Sequence, residues 1–360
     1  MSSSKEPLSV VVAGGGTAGH IEPALAVAEA LRDTYGATVT ALGTARGLET
    51  SLVPDRGFDL RLIEPVPVPR TPNLDLVKLP FRVAKSLRQA RQVLRDTGAH
   101  AVVGFGGYVS APAYLAARSV GIPFFVHEAN ARAGMANKLG VRLGGVGLNA
   151  TENSGMPGQV VGIPIRQGLG GERNDEAVER ARTRWDLDAD RPTVLVTGGS
   201  QGSVSINAAV AGALDDLLGA DIQVLHAVGK RNSLPSACPG YVPVPFIEDM
   251  QAAYAVADLI VCRSGAMTVA EVTASGIPAI YVPLPHGNGE QALNASAVIA
   301  AGAAKLVDDA DLTPERLASE VRDIVGNPAT LQQMAAAART STVGDAAGVI
   351  ARLVASAAGY

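Results

Sequence analysis

Val10-Val11-Val12-Ala13-Gly14-Gly15-Gly16-Thr17-Ala18-Gly19-His20 opens the chain's ordered pattern, and its reading decides the fold. A short β-branched apolar run, a glycine-rich turn and a helical stretch (Pro23–Tyr35) succeed one another. Such a run, without polar alternation, describes a strand buried on both faces, as in parallel sheets covered by helices. The device returns at Val194-Leu195-Val196-Thr197-Gly198-Gly199-Ser200-Gln201-Gly202, followed by a helical pattern over Ser203–Leu218.

Further runs at Thr38–Leu42, Ala101–Gly104, Pro123–His127, Ile222–Ala227, Leu259–Cys262 and Ala279–Val282 alternate with helical stretches such as Ala266–Ser275. The expected class is therefore α/β, with two Rossmann-like doubly wound domains facing a cleft. A pause after Gly158–Gly162 and the glycine-bearing stretch Ile165–Asp175, with Gly168, Gly170 and Gly171, mark a linker. The expected domains are residues 1–163 and 164–342, with a C-terminal helix within about 343–360 crossing back to the first. No solenoid-type repeat is present.

At 360 residues the chain suits two cores rather than one. Its net charge of −4 and pI near 5.8 exclude a nucleic-acid-binding role for the whole chain. The charge is unevenly placed: residues 1–164 carry 16 basic against 12 acidic residues, and residues 165–360 carry 14 against 22. The first half is thus suited to meet something anionic. Two cysteines, Cys238 and Cys262, make neither a disulfide framework nor a zinc site. The N-terminal residues lack a signal-peptide pattern, and no apolar run approaches the ~20 residues of a membrane span. A protein inside the cell, touching a membrane only peripherally, is expected.

Gly14, Gly16 and Gly19 spell the dinucleotide-binding fingerprint. That fingerprint also calls for an acid at the end of the second strand, and Ala41-Leu42-Gly43-Thr44 offers none. Asp33 has about the right separation but falls in the preceding helix. A packing turn or a catalytic loop remains, and His20 beside the turn favours the latter, since a neutral imidazole could take a proton from a hydroxyl. Gly198 to Gly202 and a helix start make an anion site in which Ser200 could donate.

Cys262-Arg263-Ser264-Gly265-Ala266-Met267-Thr268-Val269-Ala270-Glu271 is the most specific string. Small residues after a buried strand expose helix N-terminal N–H groups to a pyrophosphate, and Glu271, about a turn further in, could accept ribose hydroxyls. The polar loop Pro283-Leu284-Pro285-His286-Gly287-Asn288-Gly289-Glu290-Gln291 could read sugar hydroxyls. Neither metal nor cofactor is expected. Between Glu64 and Asp96, after Pro65-Val66-Pro67-Val68-Pro69, the apolar Leu76, Leu79 and Phe81 precede Arg82, Lys85, Arg88, Arg91 and Arg95. These are read as one basic helical stripe, either simply solvated or a patch for anionic lipid.

The strings Gly15 to His20, Gly106-Gly107-Tyr108-Val109-Ser110, His127-Glu128-Ala129-Asn130, Gly198 to Gly202 and Cys262 to Glu271 occur in one order. Through them, nearly the whole chain resembles the bacterial peptidoglycan glycosyltransferases that add N-acetylglucosamine to lipid I to make lipid II. The resemblance implies an inverting, metal-free transferase of GT-B architecture at the cytoplasmic face of the cell membrane. Its implied partners are UDP-N-acetylglucosamine, lipid I, the anionic inner-membrane surface and other cell-wall assembly proteins.

Carried over residue by residue, the resemblance implies that UDP-N-acetylglucosamine meets Ile247, Ser200, Gly265, Ala266, Met267, Thr268, Glu271, Glu290 and Gln291. Thr17, Ala18, Gly19, Asn130 and Arg166 are further implied donor contacts. His20 and Glu128 are both candidate bases, with Tyr108 and His127 lining the acceptor side. Leu79, Phe81, Arg82, Lys85 and Arg88 form the implied membrane patch. Ile163 stands where many relatives have Asn, which weakens the carry-over at Arg166, and Ala18 replaces a common Gly. A UDP-sugar epimerase or a transferase with another acceptor remains the rival enzyme class, and a non-enzymatic nucleotide-binding module the rival outside catalysis.

Overall fold

Val10 and Val12 are buried against one helical layer and Val11 and Ala13 against another, as the two faces of a central strand demand. The computed structural model describes residues 6–66, 74–170, 174–285, 289–342 and 344–360, and of 74–78 the backbone only. Pro67 to Pro69, Gly171, His286 to Asn288 and the Leu76 side chain lie outside the described residues. The chain divides into a first unit, up to Arg166 and again over 344–360, and a second over Gln167–Thr342.

The first unit runs β1 (Ser9–Ala13), α1 (Ala18–Tyr35), β2 (Thr38–Gly43), α2 (Glu49–Asp55), β3 (Asp59–Leu62), α3 (Leu74–Asp96) and β4 (Ala101–Gly104). It continues with α4 (Ser110–Val120), β5 (Phe124–Glu128), α5 (Met135–Arg142), β6 (Val146–Asn149) and β7 (Gln159–Val160). The second unit has α6 (Asp175–Trp185), β8 (Thr193–Thr197), α7 (Val204–Gly219), β9 (Gln223–Ala227), β10 (Tyr241–Val244), α8 (Met250–Val256) and β11 (Leu259–Cys262). After these come α9 (Ala266–Ala274), β12 (Ala279–Tyr281), α10 (Glu290–Ala300), β13 (Ala304–Leu306), α11 (Pro314–Val325) and α12 (Pro328–Thr340). The last helix, α13 (Ala346–Ala357), belongs to the first unit. There Ile350, Ala351, Val354 and Ala355 are buried in one cluster with Leu25, Ala28 and Leu31 of α1.

All strand pairs are parallel, in the orders β3-β2-β1-β4-β5-β6-β7 and β10-β9-β8-β11-β12-β13. Each sheet reverses its winding once, between β1 and β4 and between β8 and β11. At that reversal the loops beyond the carboxyl ends diverge and leave a crevice, the usual ligand position of such sheets. The two glycine-rich loops follow β1 and β8, and the Gly106-Gly107 and Ser264-Gly265 turns follow β4 and β11. In each unit, both edges of that crevice therefore carry a recognised string.

Candidate active site

In the first unit the loop from Gly14 bends at Gly16, where φ is +91°, a region that disfavours any side chain. Helix α1 starts at Ala18 without a side-chain cap, since the Thr17 side chain makes no capping bond. Thr17 Oγ instead stands 3.3 Å from His20 Nδ1. The half-buried His20 imidazole is held below its ordinary pKa by burial, partly offset by the Glu128 charge and by the Gly15 backbone. It is therefore neutral near pH 7 and competent to accept a proton. Tyr108, 55% exposed, follows the Gly106-Gly107 turn at the start of α4. Buried Ser110 ties that turn to β1: its hydroxyl accepts the Gly106 N–H at 2.9 Å and lies 3.0 Å from the Ala13 carbonyl.

Glu128 ends β5 and is buried. Its Oε1 accepts from the Asn130 N–H (2.9 Å) and Asn130 Nδ2 (3.2 Å). Its Oε2 accepts from the Gly134 N–H (2.9 Å) and Asn137 Nδ2 (2.9 Å). Asn137 is itself fixed by the His127 carbonyl (3.0 Å) and the buried Tyr114 hydroxyl (2.9 Å). A carboxylate with four donors holds the 130–134 loop rather than standing open to a substrate.

His127 requires correction. It is fully buried, with Nε2 2.9 Å from the Gly162 carbonyl and its ring against Phe105, so it lines no acceptor surface. The cause is position: β5 is an inner strand, paired on both sides, with all five residues buried. Burial lowers the His127 pKa, against smaller opposing effects of the Gly162 carbonyl and Glu128. Arg166 stays with the first unit, 3.6 Å from Glu22 of α1.

In the second unit Ser200 is exposed at the tip of its glycine-rich loop. Helix α7 behind it is capped by Ser203, whose Oγ accepts the Ile206 N–H at 3.3 Å. Helix α9 differs: Gly265 caps it with no side-chain bond, so its first N–H groups, around Ala266 to Thr268, are not taken by a cap. Beside it the fully buried Ser264 hydroxyl has no partner among the described residues. Uncapped amides and an orphan hydroxyl after a strand end suit an anion. Glu271 is more enclosed than a surface acid: it is buried on α9, and its Oε2 accepts from the Tyr254 hydroxyl at 3.1 Å. Ile247 is buried while Phe246 beside it is half-exposed, with Lys230 Nζ 4.2 Å from its ring centroid. Gln291 Oε1 accepts the Leu284 N–H at 3.0 Å, and Glu290 opens α10 with it.

Arg263 organises this end of the sheet. It donates to the Val282 and Pro283 carbonyls (3.2 and 3.1 Å), to Ser203 and Ser205 (2.6 and 3.0 Å), and to Asp309. One guanidinium thus joins the start of α7, the end of β11, the end of β12 and the segment after β13.

The basic stripe on α3 also needs correction. A three-residue spacing drifts by about 60° per step on a helix of 3.6 residues per turn, so Arg91 ends about half a turn from Arg82. Arg91 is half-buried, with its Nε enclosed. The outward group comprises Phe81, 78% exposed, with Lys85, Arg88 and Arg95; Leu79 and Arg82 are half-buried. Lys85 is ion-paired with Glu64. Among the described residues no helix is long and apolar enough to cross a membrane.

Sequence reasoning missed Glu49, Tyr114 and Asn137 and gave Ser110 no role of its own, though all four are buried around the first crevice. Glu49 and Ser110 each lie six residues past a strand end and Asn137 nine, and Glu49 and Ser110 reach Gly16, just past β1, and Ala13, at its end, which are distant in sequence.

The model of the glycosyltransferase family 28 N-terminal domain matches residues 10–143, and that of its C-terminal domain matches residues 193–350. The chain is 92% identical over 360 residues, the full length of both proteins, to the UDP-N-acetylglucosamine--N-acetylmuramyl-(pentapeptide) pyrophosphoryl-undecaprenol N-acetylglucosamine transferase of Corynebacterium efficiens. The protein of the same name from Corynebacterium glutamicum is 73% identical over 349 residues, 97% of this chain and 98% of that one. Among solved structures, the MurG of Acinetobacter baumannii aligns with a TM-score of 0.76 and 32% identity, over 97% of this chain and all of that one.

Proposed function

The chain belongs to glycosyltransferase family 28, and from that membership we propose that it transfers N-acetylglucosamine from UDP-N-acetylglucosamine to the 4-hydroxyl of the muramyl sugar of lipid I, forming lipid II. The observation that carries this reading is a division of chemistry between two crevices. One crevice holds a neutral imidazole, and the other an uncapped helix start with an orphan hydroxyl.

The acceptor hydroxyl attacks the anomeric carbon from the face opposite UDP, which inverts that centre and gives a β-linkage. As the bond forms, the hydroxyl proton passes to His20. With Nδ1 donating toward Thr17 Oγ, Nε2 holds the lone pair that receives it. Glu128 acts through the loop it holds and through its charge, which favours the imidazolium that forms. Tyr108 meets the acceptor. UDP leaves with its developing negative charge on the α9 amides of Gly265, Ala266, Met267 and Thr268, with Ser264 and Ser200 as further donors. Ile247 contacts the base, Glu271 the ribose, and Glu290 and Gln291 the sugar. Thr17, Ala18, Gly19, Asn130 and Arg166 are further proposed donor contacts. No metal takes part, because helix dipoles and hydroxyls bear the leaving-group charge. Phe81 and its basic neighbours seat the protein on the anionic cytoplasmic face of the membrane, where lipid I resides.

The test is UDP release from UDP-N-acetylglucosamine, measured with and without a short-chain lipid I analogue, and again with EDTA. Acceptor-dependent release with a disaccharide product, unaffected by EDTA, is expected. Release without acceptor, or a 2-epimer product, would make the chain an epimerase-type enzyme. Loss of activity in EDTA would overturn the metal-free step alone.

A further inference from the structure

Glu49 is the first residue of α2, and its side chain has no solvent exposure. Its Oε2 accepts the Gly16 N–H at 3.0 Å. Its Oε1 accepts the Thr44 N–H at 2.7 Å and the Thr44 hydroxyl at 2.9 Å. The carboxylate therefore spans from the end of β2 to the apex of the glycine loop after β1. Glycines make room for it: a Cβ on Gly15 would stand 2.9 Å from Oε1, one on Gly43 2.5 Å from Cγ, and one on Gly47 1.7 Å from Oε2. No basic side chain within ion-pair distance neutralises it among the described residues, so its buried charge is met by loop N–H groups and one hydroxyl.

The contact to Gly16 falls where the chain must choose its direction. Gly16 adopts φ +91° and precedes Thr17, Ala18, Gly19 and His20. Holding the Gly16 amide fixes that turn, and with it the start of α1 and the Thr17–His20 pair.

We propose that Glu49 is a positioning residue for the transfer reaction. It holds the Gly16 turn through one oxygen and Thr44 through the other, so that His20 and the Thr17–Gly19 amides stand ready before substrate arrives. This proposal rests on the transferase reading above. A group that only orders the loop acts on the geometry of the reacting atoms, so its loss lowers kcat more than it raises KM.

The experiment compares wild type, Glu49→Gln and Thr44→Val with UDP-N-acetylglucosamine and a short-chain lipid I analogue, alongside hydrogen exchange at the Gly16 amide. Glutamine keeps the shape but presents an amide to an N–H on one side. Expected are folded Glu49→Gln protein, kcat reduced at least tenfold, KM for the donor within threefold, and faster Gly16 exchange. The acid limb of the kcat profile is expected to persist, because His20 is still the base. Thr44→Val removes one bond to Oε1 and leaves Gly16 untouched, with kcat expected to fall about threefold.

Folded Glu49→Gln with kcat within twofold of wild type, or with slow Gly16 exchange, overturns the proposal. If Glu49→Gln does not fold, Thr44→Val decides: unchanged kcat in folded protein overturns it. Failure of the transferase reading is separate, since wild type would then make no disaccharide.

Discussion

A Cβ placed on Gly106 would stand 2.9 Å from Cδ2 and 3.0 Å from Nε2 of the His20 ring. The backbone beyond β4 is therefore one wall of the imidazole's site. Gly106 also adopts φ +96°, so a side chain there is strained and crowded together.

Gly106→Ala is accordingly expected to shift His20 while leaving both sheets intact. A misplacement on the order of 1 Å costs about 100-fold in rate. The stability cost should be about 1–3 kcal/mol, the range for one strained backbone residue. Steady-state kinetics with a thermal melt check it. A kcat within threefold of wild type would show that His20 tolerates the shift and is not the base.

His20 and Glu128 are separated by the pH profile. Neutral His20 is the active form, so kcat falls as pH drops through its pKa, which burial places below the ordinary histidine value. His20→Asn should remove that acid limb and lower kcat by about 10²–10⁴. Glu128→Gln should instead retain the limb and move it to lower pH, because the Glu128 charge raises the His20 pKa. A Glu128→Gln profile with no acid limb would make Glu128 the base.

How much of this was legible differs between local and through-space features. The inner strands were legible because runs such as Val10 to Ala13 and Val194 to Thr197 are buried on both sides by their own composition. The edge strands β3 (Asp-Leu-Arg-Leu) and the two-residue β7 were not, since neither is apolar or long enough to declare itself without its neighbour. His20 and the glycine turns are local strings and could be read directly. The part of Glu49 depends on two loops that only the sheet brings together, and that of Asn137 on the end of β5 and on Tyr114 of α4. His127 misled for the reverse reason, because a polar residue at a strand end reads as a site until the strand proves internal.

Docking on a membrane is checked with vesicles. Phe81 supplies apolar area at the surface of α3 and Arg88 an exposed charge, whereas Lys85 is already engaged with Glu64. A basic residue near an anionic surface is worth about 1 kcal/mol, so Arg88→Glu should weaken binding to anionic vesicles about tenfold or more at low salt. Phe81→Ser should weaken it at high salt too, where the charge contribution is screened. Binding unchanged in both variants would leave α3 a solvated helix.

The second unit contains its own pH dependence, away from the reacting atoms. His226 on β9 is buried, with Nε2 3.1 Å from Asn207 Oδ1 and Nδ1 3.1 Å from the Tyr241 hydroxyl. Asn207 Nδ2 donates to the Val228 carbonyl at 2.9 Å, so Oδ1 faces the ring and Nε2 is the protonated nitrogen. The imidazole is therefore neutral, and burial lowers its pKa from 6.5 to about 4. The unfolded chain takes up a proton near pH 6.5 and the folded one does not. Stability is then full above about pH 6.5 and falls progressively as pH drops toward 4. The contribution at stake is at most about 3 kcal/mol for this group. Trp185, the chain's single tryptophan, lies in the same buried cluster as Leu225 and Ala227 on either side of His226, so its fluorescence follows this unit's melt. Wild type should lose several degrees between pH 7.5 and 5, and His226→Gln, though less stable at neutral pH, should lose clearly less. An equal acid loss in both would place the pH dependence elsewhere than in the His226 site.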